Sequence, residues 1–303
     1  MAVVVGVHGI GQRQLGRAQL VGVWEPSLLD GVEAAAKRPL PDLPFSFDLA
    51  YYGRLFLDAT PRKGEGRKSG EDTGLLAGLT PEEEAELAQA ASETAGDEAL
   101  TAAEQEAAKS YTRIPAVLRV GFRALDWRFG PGAALLFAGS FREVRRYLRD
   151  PVLKARADEV VDAAVGADTR VLVGHSLGSV VAFEFVRRNP EHRLDLLVTL
   201  GSPLGARFVR ALMPDARYGK NGKGKKGKSV KGDEEGLPGG LGAWVNVRDP
   251  HDPVAFAGDL TRYWPQISDK KVNNQGDAHA VSRYLGKKQT GAALLAVLPL
   301  AGQ

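Results

Sequence analysis

The stretch "TRVLVGHSLGSVVAFEFV", residues 169–186, constrains the fold more than any other part of the chain, because its hydrophobic period changes across a pair of glycines. Val171, Leu172 and Val173 form a continuous apolar run, the pattern of a strand buried on both faces of a parallel sheet. Leu177, Val180, Val181 and Phe185 then recur at spacings of three and four. This predicts a helix that stops before Asn189-Pro190, where the proline ring disfavours helical geometry at its neighbour. Ser176 therefore falls on a strand-to-helix turn between Gly174 and Gly178. A nucleophile elbow has this form: the serine is held in strained backbone geometry with its oxygen exposed, and the flanking glycines lack the side chains that would collide with strand and helix. Ser179 and Ser202 are rival serines, but Ser179 faces into the helix and Ser202 lacks the turn.

The same alternation runs along most of the chain. "VVVGVH" at 3–8, "FSFDLAYY" at 45–52, "LDLLVTLGSP" at 194–203 and "AWVNVRD" at 243–249 read as strands, with a crossover helix from about Ala18 to Ala36 and another from Pro151 to Val165. Strands alternating with helices imply a mostly parallel sheet in one α/β domain, 1–303, whose ligands bind at the carboxyl ends of the strands. Two stretches interrupt the pattern. Residues 61–149 are an insertion: 61–75 are rich in Gly, Lys and Glu, and 81–110 are rich in Ala and Glu with few large apolar groups, which predicts a flexible or exposed acidic stretch burying little core. From 111 to 149 arginines alternate with Val, Leu, Phe and Trp around "GPG" at 130–132, as two amphipathic helices and a turn would require. The second interruption, 214–240, contains "GKNGKGKKGKSVKGDEEG" and reads as a flexible, solvated Gly/Lys loop rather than a site for an anionic ligand.

Composition narrows the function classes. A formal charge of +3 over 303 residues gives no global field for nucleic acid. The absence of cysteine excludes disulfides, thiolate metal sites and a cysteine nucleophile. "MAVVVGVHGIGQ" enters a strand at once without the features of a secretory signal, so the cytoplasm is the expected compartment. The final "TGAALLAVLPLAG" is shorter than the roughly 20 residues that span a bilayer and is expected to be a helix packed on the core.

The segments "VHGIG" at 7–11, "GHSLGS" at 174–179, "GSP" at 201–203, "NVRDPHDPV" at 246–254 and "AHAVSRYL" at 278–285 together resemble the α/β-hydrolase family, in its lipase-like esterase branch. The resemblance implies an α/β-hydrolase fold lacking the first two strands and carrying an inserted helical cap. It also implies the order serine, acid, histidine, and no metal or organic cofactor. Of the five histidines, His8 lies in the first glycine turn, His175 beside the serine, His192 at a helix end and His251 in the acid loop. His279 remains, where the family's histidine loop falls, and is expected to be the base. Asp249 and Asp252 both precede proline. The family's Asp-x-Val pattern selects Asp252 as the acid and leaves Asp249 as a turn former, with Asp277 a third candidate. The branch also implies an oxyanion hole from the backbone amides of Ile10 and Leu177.

The expected activity is cleavage of carboxylic esters, with a small-molecule acyl or lipid-like ester as substrate, through an acyl-enzyme on Ser176. A thioesterase or acyltransferase with the same triad is the alternative within enzymes, and a non-catalytic binding or scaffold protein is the alternative outside them. Leu118, Phe122, Leu125 and Phe129 share one helical face ringed by Arg119, Arg123 and Arg128. That face is expected either to roof the acyl pocket as a cap or to pack on the sheet. In the first case 111–149 would also make transient contact with a membrane surface.

Overall fold

The computed structural model describes residues 2–12, 15–57, 76, 78–105, 111, 114–213, 237–238, 240–256 and 258–300. The Gly/Lys loop expected at 214–240 lies outside the described residues except for 237, 238 and 240, and so does the 61–75 stretch.

Six strands form one sheet: β1 (Val4–Val7), β2 (Phe47–Ala50), β3 (Val171–His175), β4 (Leu194–Leu200), β5 (Leu241–Arg248) and β6 (Ser268–Lys271). Their order is β2-β1-β3-β4-β5-β6, and every neighbouring pair is parallel. The continuous apolar runs of β1, β3 and β4 are explained by layers on both faces, since alternate side chains point to opposite sides. Val5, Val7, Leu172, Leu197 and Trp244 face a cluster with α6 (Pro151–Ala164) and α7 (Leu177–Arg188). Val4, Val171, Val173, Leu196, Val198 and Val247 face a second cluster with α1 (Arg17–Ala36), α9 (Val281–Leu285) and α10 (Lys288–Val297). The terminal apolar stretch is thus a helix on the core, with Leu294 fully buried. No helix among the described residues is long and apolar enough to cross a membrane.

The insertion differs from its expected form. Its described part holds four helices: α2 (Pro81–Ala95), α3 (Asp97–Gln105), α4 (Ala116–Phe129) and α5 (Ala133–Arg149). The turn between α4 and α5 is where "GPG" predicts it, but 81–105 is neither exposed nor without a core. Thr80 starts α2 by accepting from Glu83 N while the Glu83 side chain reaches back, with Pro81 at the first helical position. Leu87, Ala91, Ala95, Ala99 and Ala103 are buried against Leu118, Phe122 and Leu125 of α4 in a third cluster that contains no strand residue. Small side chains let helices approach closely, and the close contact compensates for the small area each alanine buries.

The expectation for the α4 face is corrected at the same time. Leu118, Phe122 and Leu125 are taken up by the other inserted helices and do not pack on the sheet, while Phe129, the fourth residue of the face, is half-buried. The inserted layer is fastened to the rest of the molecule by α5, whose Val144 and Tyr147 are buried in the sheet's core, and by aromatic contacts at its margins. Phe141 of α5 meets Phe208 of α8 (Arg207–Leu212) at 4.7 Å between ring centroids. Phe129 and Arg128, at the end of α4, both contact Phe256.

Candidate active site

Parallel pairing brings the carboxyl ends of β1, β3, β4 and β5 to one edge, where Val7 lies opposite Gly174, and His175 opposite Leu200. The residues that follow these strands form the site. Ser176 is the first residue after β3 and has φ +54°, a left-handed backbone that a non-glycine residue adopts only under strain. It can be accommodated because Ser176 N donates to Leu200 O and α7 begins at once. At Gly178 a Cβ would collide with the carbonyl oxygens of Val7 and His8, so glycine permits the first turn of α7 to lie against the end of β1. At Gly9 a Cβ would lie 2.7 Å from Ser176 Cβ, which shows how closely the turn after β1 abuts the serine.

Ser176, His279 and Asp252 come together from three loops. Ser176 Oγ is 3.0 Å from His279 Nε2, and His279 Nδ1 is 2.7 Å from Asp252 Oδ2. A carboxylate can only accept, so Nδ1 carries the ring proton and Nε2 accepts from the serine hydroxyl. All three residues are buried, Ser176 and Asp252 completely. The buried carboxylate is satisfied on both oxygens. Oδ1 accepts from Val254 N at 2.9 Å and Ala255 N at 3.4 Å, and Oδ2 also accepts from the Tyr284 hydroxyl at 2.8 Å.

The remaining candidates take other places. Ser179 Oγ donates to the Ser176 carbonyl at 2.6 Å and is 2.7 Å from Ser202 Oγ, so both rival serines are engaged in bracing the elbow. Asp277 is exposed on a turn, and His192 packs on Phe185 at the end of α7. His251 is exposed and pairs with Asp249 Oδ1 at 3.0 Å. Asp249 does more than form a turn. Fully buried, it accepts from His251 N at 2.8 Å and from Asn274 N, which ties the loop carrying His279 to the loop carrying Asp252.

Two further histidines hold the backbone of the site. His175 Nε2 donates to His279 O at 2.9 Å, and burial together with the nearby His279 lowers its pKa well below the usual range. His8 Nδ1 donates to Gly9 O at 2.8 Å while Nε2 accepts from Tyr52 N at 3.1 Å; burial lowers its pKa to about 4. In a trans peptide the carbonyl and the next amide point in opposite directions, so pinning Gly9 O also sets the direction of Ile10 N–H. Leu177 is the first residue of α7, where an amide has no carbonyl one turn earlier to serve, at the positive end of the helix dipole.

The structural roles of His175 and Tyr284 are not visible in the sequence, because each contact closes through a loop far away in the chain. The only signal for Tyr284 is its place five residues after His279. Among the described residues, no group of three or more His, Asp or Glu side chains is arranged to hold a metal ion. In comparisons with known proteins, the chain matches no family model, no curated protein and no solved structure.

Proposed function

We propose that this chain is a serine hydrolase that cleaves carboxylic esters through an acyl-enzyme, on an α/β-hydrolase fold without its first two strands. The observation that carries the reading is the hydrogen-bonded chain Ser176 Oγ–His279 Nε2–Nδ1–Asp252 Oδ2, with steps of 3.0 and 2.7 Å, set on a strained strand-to-helix turn. The parallel order β2-β1-β3-β4-β5-β6 supports the fold assignment.

In this reaction Ser176 Oγ attacks the ester carbonyl carbon as its proton passes to His279 Nε2. Charge develops on the carbonyl oxygen, which the amides of Ile10 and Leu177 receive; losing one such donor typically lowers the rate about 100- to 1000-fold. His279 then delivers the proton to the departing alkoxide, leaving the acyl group on Ser176. A water molecule, deprotonated by His279, attacks the acyl carbon and regenerates the serine. Throughout, the Asp252 carboxylate holds Nδ1–H and stabilises the imidazolium.

Reaction with a fluorophosphonate probe, read by peptide mass spectrometry alongside p-nitrophenyl ester hydrolysis, tests the reading. Release of p-nitrophenol with an adduct on Ser176 is the expected result. An adduct on Ser179 or Ser202, or hydrolysis that survives Ser176→Ala, would overturn it.

A further inference from the structure

Three of the four donors to Asp252 follow from the triad and its turn; the fourth is the side chain of Tyr284. This residue is fully buried on α9, and its hydroxyl lies between two parts of the acid loop: 2.8 Å from Asp252 Oδ2 and 3.0 Å from Asp249 N. The Asp249 amide can only donate, so it occupies the hydroxyl oxygen and directs the hydroxyl proton to the carboxylate. The backbone is anchored as well, with Tyr284 N donating to Ala280 O at 3.3 Å and Tyr284 O accepting from Thr290 Oγ1 at 2.7 Å.

We propose that Tyr284 is a positioning residue for the ester hydrolysis inferred above: by donating to the same carboxylate oxygen that holds His279 Nδ1–H, it fixes Asp252 and sets the pH at which His279 acts as a base. Asp252 Oδ2 serves two donors that arrive from one loop-and-helix unit, His279 and Tyr284. Each donor draws on the same negative charge, so the tyrosine weakens the hold of Asp252 on the imidazole proton and restrains the stabilisation of imidazolium. Burial, followed by the Asp252 charge, raises the Tyr284 phenol above its ordinary range and keeps it a donor. The other titratable groups facing this cluster are few. Asp249 receives bonds from His251 and Asn274 on its far side, and His175 lies 4.8 Å from the His279 ring, with His8 beyond it.

The test compares Tyr284→Phe with a protein carrying 3-fluorotyrosine at position 284, whose hydroxyl is a stronger donor in nearly the same volume. In Tyr284→Phe the ascending limb of kcat/KM against pH should move up by about one pH unit, and the plateau kcat should fall about tenfold. The fluorinated protein should show the limb moved the other way with the plateau retained. The far-downfield proton resonance of His279 Nδ1 gives a readout that needs no turnover: it should move further downfield in Tyr284→Phe and upfield with fluorotyrosine. A limb and resonance that stay in place in both proteins would reduce Tyr284 to packing, whatever happens to stability. If Tyr284→Phe does not fold, the fluorinated protein decides alone. If the parent cleaves no ester, the hydrolase reading fails, and the resonance still decides the role of Tyr284.

Discussion

At the carboxyl edge of the sheet, large β-branched and aliphatic side chains of β1, β3 and β4 are buried on both faces, and the loops that follow β1, β3 and β5 carry Ile10, Ser176 and Asp252. In the inserted layer, α2 and α3 bury mainly alanines, and α4 and α5 supply the bulk through Leu118, Phe122, Leu125, Phe137 and Phe141. The first region spreads its burial over many interlocking side chains and can hold loop atoms to hydrogen-bond distances. The second depends on a few large groups fitted against a smooth surface, so a single truncation removes a large share of its contacts. The two regions meet along α5, whose Val144 and Tyr147 are buried in the sheet's own core, and through the pairs Phe129–Phe256 and Phe141–Phe208, whereas α2, α3 and α4 share no cluster with a strand.

The sharpest way to probe the first region is to separate its two buried aspartates. Asp252→Asn should lower kcat by about 10⁴-fold, on the pattern of a triad aspartate that sets the tautomer of its histidine, and should also cost about 1–3 kcal/mol of stability because one of its two acceptor oxygens becomes a donor. Asp249→Asn should leave most of kcat while lowering stability by about 1–3 kcal/mol. An amide side chain offers one acceptor oxygen where the carboxylate serves the amides of both His251 and Asn274. Steady-state kinetics with urea unfolding on both variants checks the ranking, and the reverse order would mean that Asp249 is the acid.

The second region is tested by Phe122→Ala, which should destabilise the inserted layer by about 3–5 kcal/mol. Hydrogen exchange should accelerate across α2, α3 and α4 while β3 and β4 keep their protection. Equal loss of protection in the strands would show that the two regions unfold as one unit and would break the comparison.

Acid should separate the regions a third way, with a slightly smaller effect. His8 titrates near 4 in the folded chain against 6.5 in a free histidine, so between those values the unfolded chain binds the additional proton. Its contribution is complete above pH 6.5 and is lost as pH falls to about 4, amounting to about 3 kcal/mol. His175, depressed in the same direction, steepens the fall. The described residues from 78 to 149 contain no histidine, so exchange in α2–α4 should respond less to acid than exchange at the sheet edge. Urea unfolding at pH 7, 5 and 4 measures the total. A flat profile would contradict the neutral state assigned to His8.

How much of this was legible beforehand depends on the range of the interaction. The turn at Ser176 and the helix from Leu177 to Arg188 follow from period and from two glycines, because strand and helix repeats are properties of neighbouring residues. The helices on either side of "GPG" follow for the same reason. The burial of 81–105 did not, since an alanine-rich face has no strong hydrophobic signal until a partner such as α4 is placed against it.

The sequence alone determined the strand-and-helix alternation, the elbow at Ser176 and, through a resemblance in short motifs, the candidates Asp252 and His279. Only the tertiary structure decided that these side chains meet at 2.7 and 3.0 Å. It also decided that Asp249 links two loops, that His8 and His175 brace the backbone, and that Tyr284 shares an oxygen with His279. Local periodicity is written in residues three or four apart, whereas these bonds join residues up to 104 apart and exist only once parallel pairing has gathered the strand ends.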